Sequence, residues 1–175
     1  MLAASLAVVD EGGLSALTMS AVADRLGVTS MALYRHVTNK ADLCDGLVEQ
    51  ILLEVPLPDP NDPWPDRLAA LARGTRMAAL RHPGAFGLLL QRAAVTPGAR
   101  RTRDAVYSAL REAGFGEDDV VQLERLLSTA ILGFAASEAE GRFAAHTSEQ
   151  LDADFVRLQA MLATAIFDAL AAKTP

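Results

Sequence analysis

A single cysteine, Cys44, in 175 residues excludes a disulfide framework within the chain. There is no second thiol, and the three histidines, His36, His82 and His146, are scattered. No zinc-ligand spacing exists, and neither a metal nor any other cofactor is expected. A Gly-x-Ser-x-Gly elbow, a phosphate-cradling glycine loop and a recognisable pairing of carboxylates with histidines are all missing, so an enzyme is not expected. Charged residues make up only 22% against 51% hydrophobic ones, which excludes intrinsic disorder. No window approaches about 18 consecutive apolar residues, so no membrane-spanning helix is expected. The apolar opening from Met1 to Val9 has no Lys or Arg ahead of it and meets Asp10 and Glu11 directly, a poor match to a secretory signal. The expected location is the cytoplasm.

Aromatic residues are scarce, at 5%, and β-branched residues are sparse while Ala, Leu and Arg dominate. That balance favours helix over strand. The expected fold is all-α with about nine helices, read from their start and stop signals: an N-terminal three-helix helix-turn-helix domain and a C-terminal helical bundle. The net charge of −6 argues against a surface that coats nucleic acid everywhere, and leaves room for a local basic patch.

Five of the eight prolines fall between Pro56 and Pro65, and no helix crosses such a segment. The chain is expected to divide into residues 1–55 and 56–175. In the first part, Leu2, Leu6 and Val9 sit at helical spacing and Gly12-Gly13 end that helix. Thr18 offers an N-cap for a second helix through Leu26, and a third runs from Met31 to Val37. Asn39 caps a fourth, with Asp42 in its first turn and Leu43, Leu47, Ile51 and Val55 on one face. In the second part, start signals predict helices from Asp62-Pro63 to Arg81, from Pro83 to Gln91, from Thr96-Pro97 to Gly114, from Glu117 to Gly141 and from Thr147 or Ser148 to Ala172.

Residues 18–40 have the form of a helix-turn-helix, with Val22, Ala23 and Leu26 inward on one helix, a turn at Gly27, and Leu33 and Val37 inward on the next. With Leu33 facing the core, the rotation per residue puts Met31 and Arg35 on the outer side and Tyr34 on the flank. No acidic residue lies between Arg25 and Ala41. Arg25, Arg35 and Lys40 make this the one locally positive stretch. His36 lies near the Leu33 face and fits a helix cap or a carbonyl contact as readily as DNA. The basic run Arg100-Arg101-Thr102-Arg103 reads as a solvated face or as partners for nearby carboxylates. Glu117-Asp118-Asp119 suit a helix N-terminus on electrostatic grounds, without a metal.

Ala16-Leu17-Thr18-Met19, Leu26-Gly27-Val28, Leu33-Tyr34-Arg35-His36-Val37 and Asn39-Lys40 resemble the DNA-binding domain of TetR-type transcriptional regulators over about residues 2–50. Trp64 after the proline segment, the His82-Pro83 break and two long terminal helices resemble the ligand-binding and dimerisation domain of that family, in its tetracycline-repressor-like branch. The resemblance implies phosphate contacts from Tyr34, His36 and Lys40. It also implies a base-facing or nearby role for Ser30, Met31, Ala32 and Arg35, and a helix cap aimed at a phosphate at Thr18. Thr29 at the start of the recognition helix completes the expected DNA set, with Ser20, which stands where many such regulators carry an arginine and reaches only a phosphate or a water. Many also carry basic residues ahead of the first helix, where this chain begins at Met1, so the expected affinity is modest or a basic arm lies outside the chain. The partners expected are a double-stranded DNA operator, a small molecule of unknown identity and a second copy of the chain. The alternative is a helical small-molecule binder without specific DNA recognition.

For the homodimer, the expected interface combines Leu123, Leu126, Leu127, Ala130, Ile131 and Phe134 with Leu151, Phe155, Leu158, Leu162, Ile166 and Leu170. For the ligand, Met77, Leu80, Phe86, Leu90, Tyr107, Leu110 and Phe134 are candidate apolar walls. Arg76, Gln91, Ser137 and Glu138 are candidate polar contacts, and Gly87 and Gly133 leave room between helices.

Overall fold

The computed structural model describes residues 1–172, and among them every regular element is helical. α1 (Leu2–Ala16) bends at Gly13, whose φ of 72° only glycine adopts readily, so the expected stop at Gly12-Gly13 is a kink followed by one further turn. α2 (Met19–Leu26) starts where the Thr18 side chain accepts the Ala21 N–H and ends at Gly27, left-handed at φ 65°. α3 covers only Ser30–Leu33. The expected run to Val37 is replaced by a turn in which the His36 N–H donates to the Leu33 carbonyl at 2.9 Å. The reason lies two residues on. Asn39 must be extended (φ −163°) for its side chain to accept the Asp42 N–H and cap α4 (Lys40–Leu53), and Asp42 reaches back to the Thr38 N–H at 2.9 Å.

Beyond the proline segment, α5 (Trp64–Arg81) is followed by two single-turn helices, α6 (Pro83–Phe86) and α7 (Leu88–Gln91), which meet at Gly87 in place of one expected helix. α8 (Pro97–Glu112) is capped by Thr96. α9 (Glu117–Ala139) carries three carboxylates in its first turn, and α10 (Ser148–Ala171) opens with a reciprocal capping box between Thr147 and Gln150. Among the described residues α9 is long and apolar enough to cross a membrane by length and composition. In this fold it packs on α5 and α8, and its Val120, Ile131 and Ala135 are buried.

The proline segment divides the chain without dividing the core. One cluster joins Val9, Val22, Leu33 and Leu47 to Leu71, Ala78, Phe86 and Ala135, while Leu110, Phe115, Val120 and Ile166 form a second. Two seams hold the N-terminal helices to the rest. At the first, Gly84 of α6 lies so close to α1 that a Cβ there would run into the Val9 carbonyl oxygen. His82 bridges Asp10 of α1 (2.8 Å) and Glu54 at the end of α4 (2.9 Å), and Arg81 also holds Glu54. At the second, Arg101 of α8 donates to the carbonyls of Leu53 (2.8 Å) and Val55 (2.7 Å), and Arg92 pairs with Asp45 of α4. The basic run of α8 therefore ties down the C-terminal end of α4 through carbonyls.

Candidate functional site

Burying Val22, Ala23 and Leu33 leaves the opposite side of α2 and α3 open. Met31 is 75% exposed and Tyr34 50%. Thr18, Ser20, Thr29, Arg35, His36 and Lys40 are exposed as well, and Ser30 is half-buried. The structure thus leaves the expected DNA residues accessible at the surface of the helix-turn-helix, with His36 standing in solvent. Arg25 departs from expectation. It lies in a two-pronged ion pair with Glu11 of α1, both bonds 2.6 Å, which neutralises it. Glu11 is distant in sequence, so reading residues 18–40 alone overstated their positive charge. Arg35 and Lys40 remain as the unpaired cations of this stretch among the described residues. Asp45 and Glu54 turn to Arg92 and Arg81, away from this face.

A cavity of about 330 Å³ lies in the second half of the molecule, between α4, α5, α8, α9 and α10. Its walls are mostly apolar, with Val48 and Leu52 from α4, Trp64 and Leu68 from α5, and Leu127 and Ile131 from α9. Arg103, Glu124, Ser128 and Gln159 supply polar groups. Burial is the largest influence on Glu124 and raises its carboxyl above the ordinary range, against the opposing effects of Ser128, Arg103 and Arg125.

None of the residues expected to bind the ligand lines this cavity. Arg76 is buried instead in an ion-pair cluster with Glu138 (2.6 Å) and Asp152 (2.7 Å), its guanidinium 5.0 Å from the centre of the Phe155 ring. Hydrogen bonding to Glu138, opposed by burial and helped by Asp152, raises the Arg76 pKa and keeps the group charged. Phe134 stacks against Phe143 and Phe155, and Phe86 and Leu110 fill the core. Met77, Leu80 and Leu90 face outward at 50%, 41% and 53% exposure, and Gln91 is exposed too. Tyr107 lies beneath Arg103 and Arg111, and Ser137 is half-buried beside Glu138. Arg76 and Met77 do border a shallower depression with Asp152 and Phe155. A Cβ at Gly133 would meet nothing, and one at Gly87 would touch Glu140, so neither glycine opens the cavity. The reason is rotational phase. Helices such as α5 carry apolar residues on more than one face, and periodicity does not say which face turns inward. Leu127, Ile131, Leu162 and Ile166, expected at a dimer interface, line the cavity instead. The apolar side chains that α9 and α10 leave exposed include Leu126, Val156, Met161 and Phe167.

An outward-facing helix-turn-helix, packed through α1 and α4 onto a hollow helical bundle, defines a two-part helix-turn-helix protein. The chain belongs to the TetR family: residues 57–175 match the family model described as tetracyclin repressor-like, C-terminal domain, and residues 1–47 match that of bacterial regulatory proteins, tetR family. It is 33% identical over 143 residues to an HTH-type transcriptional regulator of Saccharopolyspora erythraea, an alignment covering 81% of this chain and 61% of that protein. A TetR variant from Acinetobacter baumannii crystallised with minocycline superposes with a TM-score of 0.79 at 28% identity, over 93% of this chain and 92% of the other. BioQ crystallised with its double-stranded DNA operator gives 0.71 at 26% identity, over 93% and 95%. The chain spans between 58% and 65% of the length of the curated relatives it matches first.

Proposed function

We propose that this chain is a ligand-responsive transcriptional repressor that binds a pseudo-palindromic operator as a homodimer in the cytoplasm and leaves it when a small molecule fills the cavity. One observation carries the reading. α4 begins at Asn39-Lys40, beside the outward face of the helix-turn-helix, and its Val48 and Leu52 form part of the cavity wall. A ligand that favours a shifted α4 changes the separation of the two recognition helices, and that differential affinity is the coupling a repressor needs.

In this reading Tyr34 and Lys40 hold the phosphate backbone, together with Thr18, Ser20, Thr29 and His36. Met31 and Arg35 approach base edges and Ser30 lies beside them. The second copy covers the exposed apolar side of α9 and α10. The relatives point the same way, BioQ through its operator and the Acinetobacter protein through minocycline. The protein acts by binding, with no catalytic step.

The test begins by recovering bound duplexes from genomic fragments. Anisotropy titrations on the recovered operator should then show Arg35→Ala costing about 1–3 kcal/mol, mainly on the operator. Tyr34→Ala and Lys40→Ala should weaken operator and unrelated duplexes alike. Operator binding that survives all three substitutions together would overturn the assignment of these residues to the DNA, whereas recovery of no specific duplex by the wild-type chain would leave the small-molecule binder.

A further inference from the structure

The polar groups on the cavity wall differ in how much of their bonding capacity is already used. Thr75 donates to the Leu71 carbonyl at 2.8 Å. Arg92 is committed to Asp45 and the Ala41 carbonyl. Gln159 gives its amide N–H to the Ala69 carbonyl at 2.9 Å, so its oxygen is what it has left to offer. Arg103 has a Nε without a partner, but its guanidinium already rests over the Tyr107 ring at 5.8 Å, a cation–π contact. Glu124 is the acid on this wall and forms no ion pair among the described residues, although Ser128 hydrogen-bonds to it and the charges of Arg103 and Arg125 act on it from farther away; Asp10, Asp45, Glu54 and Glu138 all have cationic partners in contact. Arg103 Nε is one donor left over, and the remaining capacity lies in the oxygens of Gln159 and Glu124, of which the carboxylate carries the one negative charge on a mostly apolar wall.

We infer that the cavity takes a largely apolar molecule carrying one protonated amine, with the cation against Glu124 and the apolar body between Trp64, Leu68, Leu127 and Ile131. This rests on the reading of the cavity as the effector site. An ionised carboxylate in an apolar enclosure is costly alone and far less so with a hydrogen-bonded cation beside it, so Glu124 rewards an amine over a neutral compound of the same shape. An anion meets the opposite situation. Arg92 is held by Asp45 and Arg103 rests over Tyr107, so an anion finds no free cation beyond the Arg103 Nε and must lie in the same hollow as Glu124.

Trp64 is the only tryptophan and lines the cavity, so its fluorescence reports occupancy directly. The full chain is titrated with rhodamine 6G, a hydrophobic cation, and with anilinonaphthalene sulfonate, a hydrophobic anion. The expected result is quenching by the cation at concentrations about tenfold lower or more, equivalent to about 1.4 kcal/mol. Glu124→Gln keeps the side-chain shape and should abolish that preference, weakening the cation and relieving the anion, with the melting curve intact. Equal affinity for the two probes, or a preference that survives Glu124→Gln, overturns the amine assignment while the cavity stands. Ala72→Phe, which projects into the cavity, should weaken both probes together. Quenching by neither probe in the wild-type chain overturns the cavity reading and the amine assignment with it.

Discussion

α4 and α10 are both amphipathic helices, and they end up in opposite situations. α4, with 14 residues, buries Leu43, Cys44, Leu47, Val48 and Ile51, and has side-chain ties to α7, α8 and the α5–α6 junction. α10, with 24 residues, buries only Phe155 and Ile166 and leaves Val156, Met161 and Phe167 more than half exposed. A helix held on several sides transmits displacement, because packed interiors shift between discrete arrangements and yield little in between. A helix with an uncovered apolar face calls for another surface. The difference separates the element suited to carry a signal from the one suited to assembly.

The most severe way to break that contrast is to hollow out α4. Ile51 is fully buried, and Ile51→Ala should lower stability by about 2–5 kcal/mol in urea denaturation. A loss below about 1 kcal/mol would mean that α4 is not packed as described. Gly84→Ala tests the neighbouring seam, where the added methyl meets the Val9 backbone. It should cost about 1–3 kcal/mol of stability and weaken operator binding with it. Undiminished stability would show that α1 and α6 are free to separate.

On the α10 side, Val156→Glu with Met161→Glu should leave the fold intact and raise the dimer dissociation constant by about tenfold or more, about 1.4 kcal/mol, measured by light scattering across a dilution series. A dimer that ignores both charges lies elsewhere on the surface.

The smallest expected effect concerns pH. Burial, the largest influence on Glu54, acts to raise its carboxyl, but hydrogen bonds from Arg81 and His82 outweigh it and hold the group below the ordinary range. A depressed carboxyl stabilises the fold above the ordinary value, about 4.3, and that contribution disappears as the pH falls through the lowered one. Thermal midpoints should therefore drop on acidification below about pH 4, and less steeply in Glu54→Gln. Parallel curves for the two proteins would remove Glu54 from the seam.

The helix-turn-helix unit was far more legible in the sequence than the cavity. Thr18, Asn39, Thr96 and Thr147 announce helix starts because each cap bonds an N–H only a few residues away, and Gly27 marks a stop because its left-handed backbone is a local property. The exposure of Met31, Tyr34 and Arg35 followed once Leu33 was taken as buried. Arg25 escaped, because its partner Glu11 comes from another helix. The cavity residues escaped more completely. Leu127 and Ile131 repeat with the same spacing whether they face a hollow, a core or a second chain.

By itself the sequence determined the all-helical content, the break at Pro56–Pro65, the caps and the outer face of the helix-turn-helix, since these depend on interactions within a few residues. Only the tertiary structure decided that the core runs across that break, that Arg76 serves an ion-pair cluster, and that Glu124 stands in an apolar hollow walled partly by α4. Those outcomes depend on the rotation and crossing of helices far apart in the chain. Many phases bury similar apolar area, and shape complementarity among all the helices at once selects one of them.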